Sequence, residues 1–206
     1  LIAHLLLGAL LFGTLVCLSI AACERVAPLG ERAGTVASEG LRVFLCAAAA
    51  IVGATLFAHA APPQAMVALA ILCAALGATC FLTTLDVAVP PVVPGTALAI
   101  LIGSALVDGN FGPLVSALAT GSPFALTAIT VRRNGSDWRD ALVAALGGAA
   151  FGLQLGFFVV GFACLTIVIA RPYLARHRTK PQPPPRFSSA LAGFFMLFLL
   201  GRLAIS

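Results

Sequence analysis

The sequence predicts an all-α fold, a polytopic transmembrane helix bundle of about eight short spans. Of its 206 residues, 61% are hydrophobic and 9% charged, and the mean hydropathy is +1.09, whereas a soluble domain carries about 25% charged residues. The apolar residues fall in runs close to the roughly 20 residues that cross a hydrocarbon core about 30 Å thick. The arginines collect at the ends of those runs, where basic residues set orientation. No sizeable soluble domain fits, so residues 1–206 read as a single membrane domain. The net charge of +5 serves topology and is not a nucleic-acid signature.

In chain order, the first expected span is 1–23. It lacks a basic n-region, and its apolar run is too long for a signal peptide. Spans at 41–60, 64–85, 92–107 and 111–130 follow, several entered through prolines (Pro62, Pro63, Pro90, Pro91, Pro94), where a missing N–H does least damage. The run 141–170 is longer than one crossing requires and contains Gly147, Gly148, Gly152, Gln154 and Gly156. The last span is 188–206. The polyproline segment 181–185 reads as a linker.

Parity decides how 141–170 is divided. The charged segments 24–42, 132–139 and 171–186 belong on the cytoplasmic side. A single span at 141–170, giving seven in all, would put the basic tract RPYLARHRTKPQPPPR on the opposite face. A tight reversal near Gly152–Gly156 returns it to the cytoplasm and gives eight, with the N-terminus outside. The hairpin then has a short helix from about residue 137 to 151, reaching about 22 Å at 1.5 Å per residue, and a longer one from about 155 to 173. Segments 24–40 and 171–187 are expected as cytoplasmic loops.

Six cysteines show no C-x-x-C pair and lie mostly within apolar runs, where cysteine behaves as a small hydrophobe; neither a metal site nor a disulfide framework is expected. Glu24, Glu31 and Glu39 alternate with Arg25, Arg32 and Arg42 and read as a solvated, charge-balanced loop. Asp108 sits in VDGNFG, ordinary turn chemistry. Asp86 differs, because it ends an apolar span with no Lys or Arg within about forty residues, and an ionisable group at a membrane boundary calls for a partner. Asp137 and Asp140 are three apart, near one face at the start of a helix. Two carboxyls brought together could share a proton, one activating water while the other protonates the leaving group. Capping is the simpler alternative: Ser136 or Asp137 suits a helix N-terminus, and Asp86 could end a helix before prolines.

The order of features resembles the type IV prepilin leader peptidases, membrane aspartic peptidases of the G-x-G-D type. LLGALLFGTLVCLSIAACER is similar to that family's first helix, LDVAVPP to the region of its first aspartate and FGPLVSALATG to the span before the second. NGSDWRDALVAALGGAAFG stands at the second motif and PPRFSSALAGFFMLFLLG at the last helix. The likeness covers nearly the whole layout. G-x-G-D stands here as Asn134-Gly135-Ser136-Asp137, with Arg139 where the family has its lysine. Alignment on the downstream Gly148 and Gly152 instead makes Asp140 the second catalytic residue. Pro90 follows Asp86 after three residues, where the family has about six, and keeping the family spacing would put Thr83 at the first position.

The resemblance implies an aspartic endopeptidase that removes the leader from type IV pilin-like precursors at the cytoplasmic face of the bacterial inner membrane. Asp86 and Asp137 would be catalytic, with Asp140 the alternate for Asp137, and Gly135, Arg139 and Pro90 supporting. The implied partner is the precursor, leader plus apolar helix, within the lipid bilayer. No cofactor and no zinc are implied, since the long cysteine-bearing loop of larger members is missing. Two other functions fit the same residues: a catalytically degenerate homologue that binds pilin-like helices, and a small proton- or cation-coupled transporter component.

Overall fold

The computed structural model describes residues 2–26, 36–58, 63–85, 90–130, 138–177, 191–195 and 197. The described residues form six helices: α1 (Ile2–Val26), α2 (Val36–Ala58), α3 (Pro63–Thr84), α4 (Val92–Val107), α5 (Gly112–Thr130) and α6 (Trp138–His177). A helical segment at 191–195 follows. Five of the six are long and apolar enough to cross a membrane; α4 is a shorter apolar helix. Leu6, Leu10, Leu18, Val43, Phe44, Phe158 and Val168 stand exposed, which suits a lipid surround and not water.

Local chemistry sets the ends and relieves the breaks. Helix α4 starts directly after Pro90 and Pro91 and closes in a Schellman turn. The Asn110 N–H donates to Ala105 O (2.8 Å) and the Gly109 N–H to Leu106 O (3.0 Å), with Gly109 at φ +70°. The Asn110 side chain then accepts the Gly112 N–H at 3.0 Å, so VDGNFG is the turn its composition indicates. Within α5, Pro123 cannot bond Ala119 O, and the neighbouring Ser122 hydroxyl donates to that carbonyl at 3.4 Å.

The run expected to reverse does so at one residue. Gly152 adopts φ +80°, ψ 174° inside α6, a region open only to glycine. A Cβ on Gly156 would lie 3.0 Å from Gly148 Cα, whereas residues eight apart in an unbroken helix stand about 12 Å apart. Helix α6 is therefore two arms folded back on each other, and the second arm begins directly after Gly152, not at residue 155. Nothing lies within 4 Å of a Cβ at Gly152, so Gly152→Ala meets backbone strain alone. We expect it to cost about 1–3 kcal/mol, measured by thermal unfolding in detergent; an unchanged midpoint would mean the reversal lies elsewhere.

Glycines set the two closest seams. Gly8 of α1 and Gly53 of α2 touch backbone to backbone, flanked by Phe57 and Phe12. Between α5 and the first arm of α6, Thr120 is the pivot: its hydroxyl proton is shared between Ser116 O (2.8 Å) and Ala144 O (2.9 Å). Gly148 packs on Ser116 and Thr120, and Gly121 on Ala141 and Ala145, an antiparallel register. Phe195 fills the space above Gly147 and stacks on Phe151, centroids 5.4 Å apart, so segment 191–195 seats on the first arm. The main core gathers Val16, Ile20, Val52, Leu72, Leu76, Phe81, Leu146 and Leu191.

Two expected loops are shorter than expected. Helix α1 continues through Glu24 and Arg25, and α2 already includes Ser38, Glu39 and Gly40, so only part of 24–40 connects helices. Likewise α6 runs to His177, taking in residues 171–177 of the basic tract. Around the first break, Glu24, Arg25, Glu39 and Arg42 are good helix formers that let both helices continue past their apolar runs; at the end of α6, Leu174, Ala175 and Arg176 do the same. The polyproline segment 181–185 and most of the last span lie outside the described residues.

Candidate functional site

Register brings the elements of interest to one end of the bundle. Helices α4 and α5 form a hairpin through residues 108–111, and α5 runs antiparallel to the first arm of α6, so α4 and that arm run parallel and begin at the same end. Leu98 and Ile102 of α4 pack on Ala117, Ala145 and Ala149 of α5 and α6. Pro90, before α4, therefore lies at the same end as the first turn of α6, which carries Arg139 and Asp140. Helix α3 ends there too, at Thr84 and Leu85, because the chain passes from it to α4.

Asp140 is 6% exposed, an unusual place for a carboxylate in an apolar bundle. It sits in the first helical turn, where the free N–H groups and the macrodipole favour negative charge. Arg139, next to it, is half-buried. Thr83 is 4% exposed, and its hydroxyl donates to Thr79 O (2.5 Å), one turn back in α3. Such back-bonding satisfies a hydroxyl within its own helix and supplies no acid. Pro90 is half-buried at the entry to α4. Asp86, Gly135 and Asp137 lie outside the described residues.

The same end holds an ion pair. Glu24 of α1 and Arg42 of α2, with side chains 20% and 28% exposed, are joined as a salt bridge. The Arg42 guanidinium also lies 5.7 Å from the Phe81 ring centroid in α3, close enough for a cation–π contact. This corrects the reading of these charges as a solvated loop: the helices reach far enough to face them across the α1–α2 seam. Opposite charges flanking the break were the available signal. Removing one partner strands the other in a half-buried site, so Glu24→Gln is expected to cost roughly 1–3 kcal/mol. Adding Arg42→Met to it should restore most of the loss, and equal stability of the single variant and the wild type in detergent unfolding would contradict the pairing.

Among the described residues, then, one end of the bundle carries Ser38, Thr83 and Asp140 as buried polar side chains, with the Glu24–Arg42 pair at the same end. A carboxyl at a helix start can hold or release a proton and can polarise any water that reaches it. It becomes an acid–base pair only with a second carboxyl within about 3 Å or one water of the reacting atoms. Comparison of the chain with family models, with curated proteins and with solved structures returned no match.

Proposed function

We propose that the chain is an intramembrane aspartic endopeptidase that removes the leader from type IV pilin-like precursors at the cytoplasmic face of the bacterial inner membrane. The observation that carries this is the buried carboxyl of Asp140 at the end of the bundle where α3 closes and α4 opens. Asp86 follows Leu85 directly in the sequence, and Asp137 precedes Asp140 by three residues. The resemblance in the order of motifs adds to it.

In this reading the chain crosses the bilayer eight times: α1 to α5, the two arms of α6, and 188–206, with the N-terminus periplasmic. The reversal at Gly152 supports the even count, and the basic segments then share the cytoplasmic side. The precursor's apolar helix lies among the spans and its charged leader remains in the cytoplasm. Asp86 and one of Asp137 or Asp140 share a proton. The ionised carboxylate takes a proton from water as it attacks the scissile carbonyl, and the neutral one protonates the departing amine. The reaction proceeds without a covalent intermediate.

The test is cleavage of a type IV pilin-like precursor by the full chain in proteoliposomes. Asp86→Asn and one of Asp137→Asn or Asp140→Asn are expected to lower the rate by about 100-fold or more while the protein stays folded. If all three variants cut like the wild type, the proposal fails. Capture of the precursor without cleavage by the wild type would replace it with a non-catalytic binding role.

A further inference from the structure

Cys17 and Cys46 meet across the α1–α2 seam, and no step of the proposed chemistry uses them. The two helices run antiparallel, tied at one end by Gly8 against Gly53 and at the other by Glu24 with Arg42. Between those ties the register sets Cys17, one turn beyond Gly13, opposite Cys46. A Cβ on Gly13 would lie 3.4 Å from Cys46 O, and the Cys17 thiol is near enough to Cys46 to act on it electrostatically. Both thiols are free.

A disulfide requires Cα atoms about 4.4–6.8 Å apart. Helices with ordinary side chains at their contact stand about 8–10 Å apart axis to axis, which rarely allows it. Here Gly13 packs against the Cys46 backbone one turn from Cys17, so the two helices approach more closely than ordinary side chains would allow. Access is also set by the fold. Cys23 and Cys73 are buried and Cys17 is exposed, on the helix that presents Leu10, Leu11, Leu15 and Leu18 outward. A reagent that reaches Cys17 arrives through the apolar phase, where water-soluble thiols and disulfides are scarce.

We propose that Cys17 and Cys46 are a cross-helix dithiol that a lipid-soluble quinone oxidises to a disulfide, latching α1 to α2. Two S–H bonds break and one S–S bond forms; the two electrons and two protons pass to the quinone, which leaves as the quinol. Reduction by an apolar dithiol reverses the step. The latch is independent of any peptidase activity.

The full chain in lipid nanodiscs is treated with a short-chain benzoquinone, its remaining thiols are blocked with N-ethylmaleimide, and trypsin cuts after Arg32, between α1 and α2. On a non-reducing gel the α1 fragment is expected to remain attached in the wild type and in Cys23→Ser, and to separate in Cys17→Ser, in Cys46→Ser and after reduction. Separation in the oxidised wild type overturns the proposal, as does retention in Cys17→Ser or loss of the link in Cys23→Ser. Folding of each serine variant is checked by its unfolding midpoint without oxidant, so that a lost link reports chemistry and not collapse.

Discussion

Gly148→Leu is expected to take apart the α5–α6 unit. A Cβ at this position would fall 2.6 Å from Ser116 O and 2.9 Å from Thr120 Cγ2, and closer still to the Thr120 hydroxyl. The second arm of α6 also leans on this point, since Gly156 packs against Gly148 and Thr120. Three helical segments therefore converge where only a hydrogen fits. A single methyl, in Gly148→Ala, should cost about 1–3 kcal/mol, the usual range for overpacking, and leucine should prevent the native packing altogether. Part of the obstruction is the Thr120 hydroxyl, so Thr120→Ala should recover part of the loss in Gly148→Ala; the Ser116 carbonyl, being backbone, keeps the rest. Thermal unfolding in detergent reads both, and a Gly148→Leu protein that melts like the wild type would refute the close approach.

Gly8→Leu should open the α1–α2 seam by the same logic with a harder obstacle. The added carbon would run into the carbonyl of Gly53, whose carbon lies 2.8 Å away, and into Phe57 Cδ2 at 2.6 Å. A flexible side chain can swing aside, but a helix backbone moves only as a whole. The helices must separate by about the thickness of a methyl group, and the packing of Phe12, Val16 and Ile20 against the rest of the core goes with them. Alanine here should cost about 1–3 kcal/mol and leucine more. Gly40, Gly103 and Gly161 provide the contrast, because a Cβ on any of them meets nothing within 4 Å. Alanine at those sites should stabilise by about 0.5–1 kcal/mol through helix propensity alone. Equal effects at Gly8 and Gly103 would show that the seam is not where the structure puts it.

The helices were legible from the sequence because their signals are local. Apolar runs marked where the helices lie though not how far α1, α2 and α6 extend, Pro90 and Pro91 marked the start of α4, and the glycines around residue 152, with the placement of arginines, marked the reversal in α6. The partners of each helix were not legible, for a physical reason. Lipid and protein core are equally apolar, so helices such as α3 and α4 are hydrophobic all round and carry no polar face to mark the outside. Thr120 looked like any helical threonine, and its bond to Ala144 O exists only once α5 and α6 pair. Glu24 and Arg42 were seen as charges but not as a pair, since pairing depends on where two helices end. At the candidate site, the motif resemblance favoured Asp137, which lies outside the described residues, and burial separates Asp140 from the exposed Asp108; sequence has no measure of burial where every neighbour is apolar.

Packing is densest between α1 and α2 and between α5 and α6, while α3 touches α4 about as closely as it touches α2, and little of α6. Mechanically the protein is two tightly paired helix units, α1 with α2 and α5 with α6, joined through α3, α4 and a shared core. The C-terminal end of α3 lies outside both pairs, and the first turn of α6 belongs to the second. A shift of one pair against the other would change the distance between these two ends while leaving the Gly8–Gly53 and Gly148–Thr120 contacts intact.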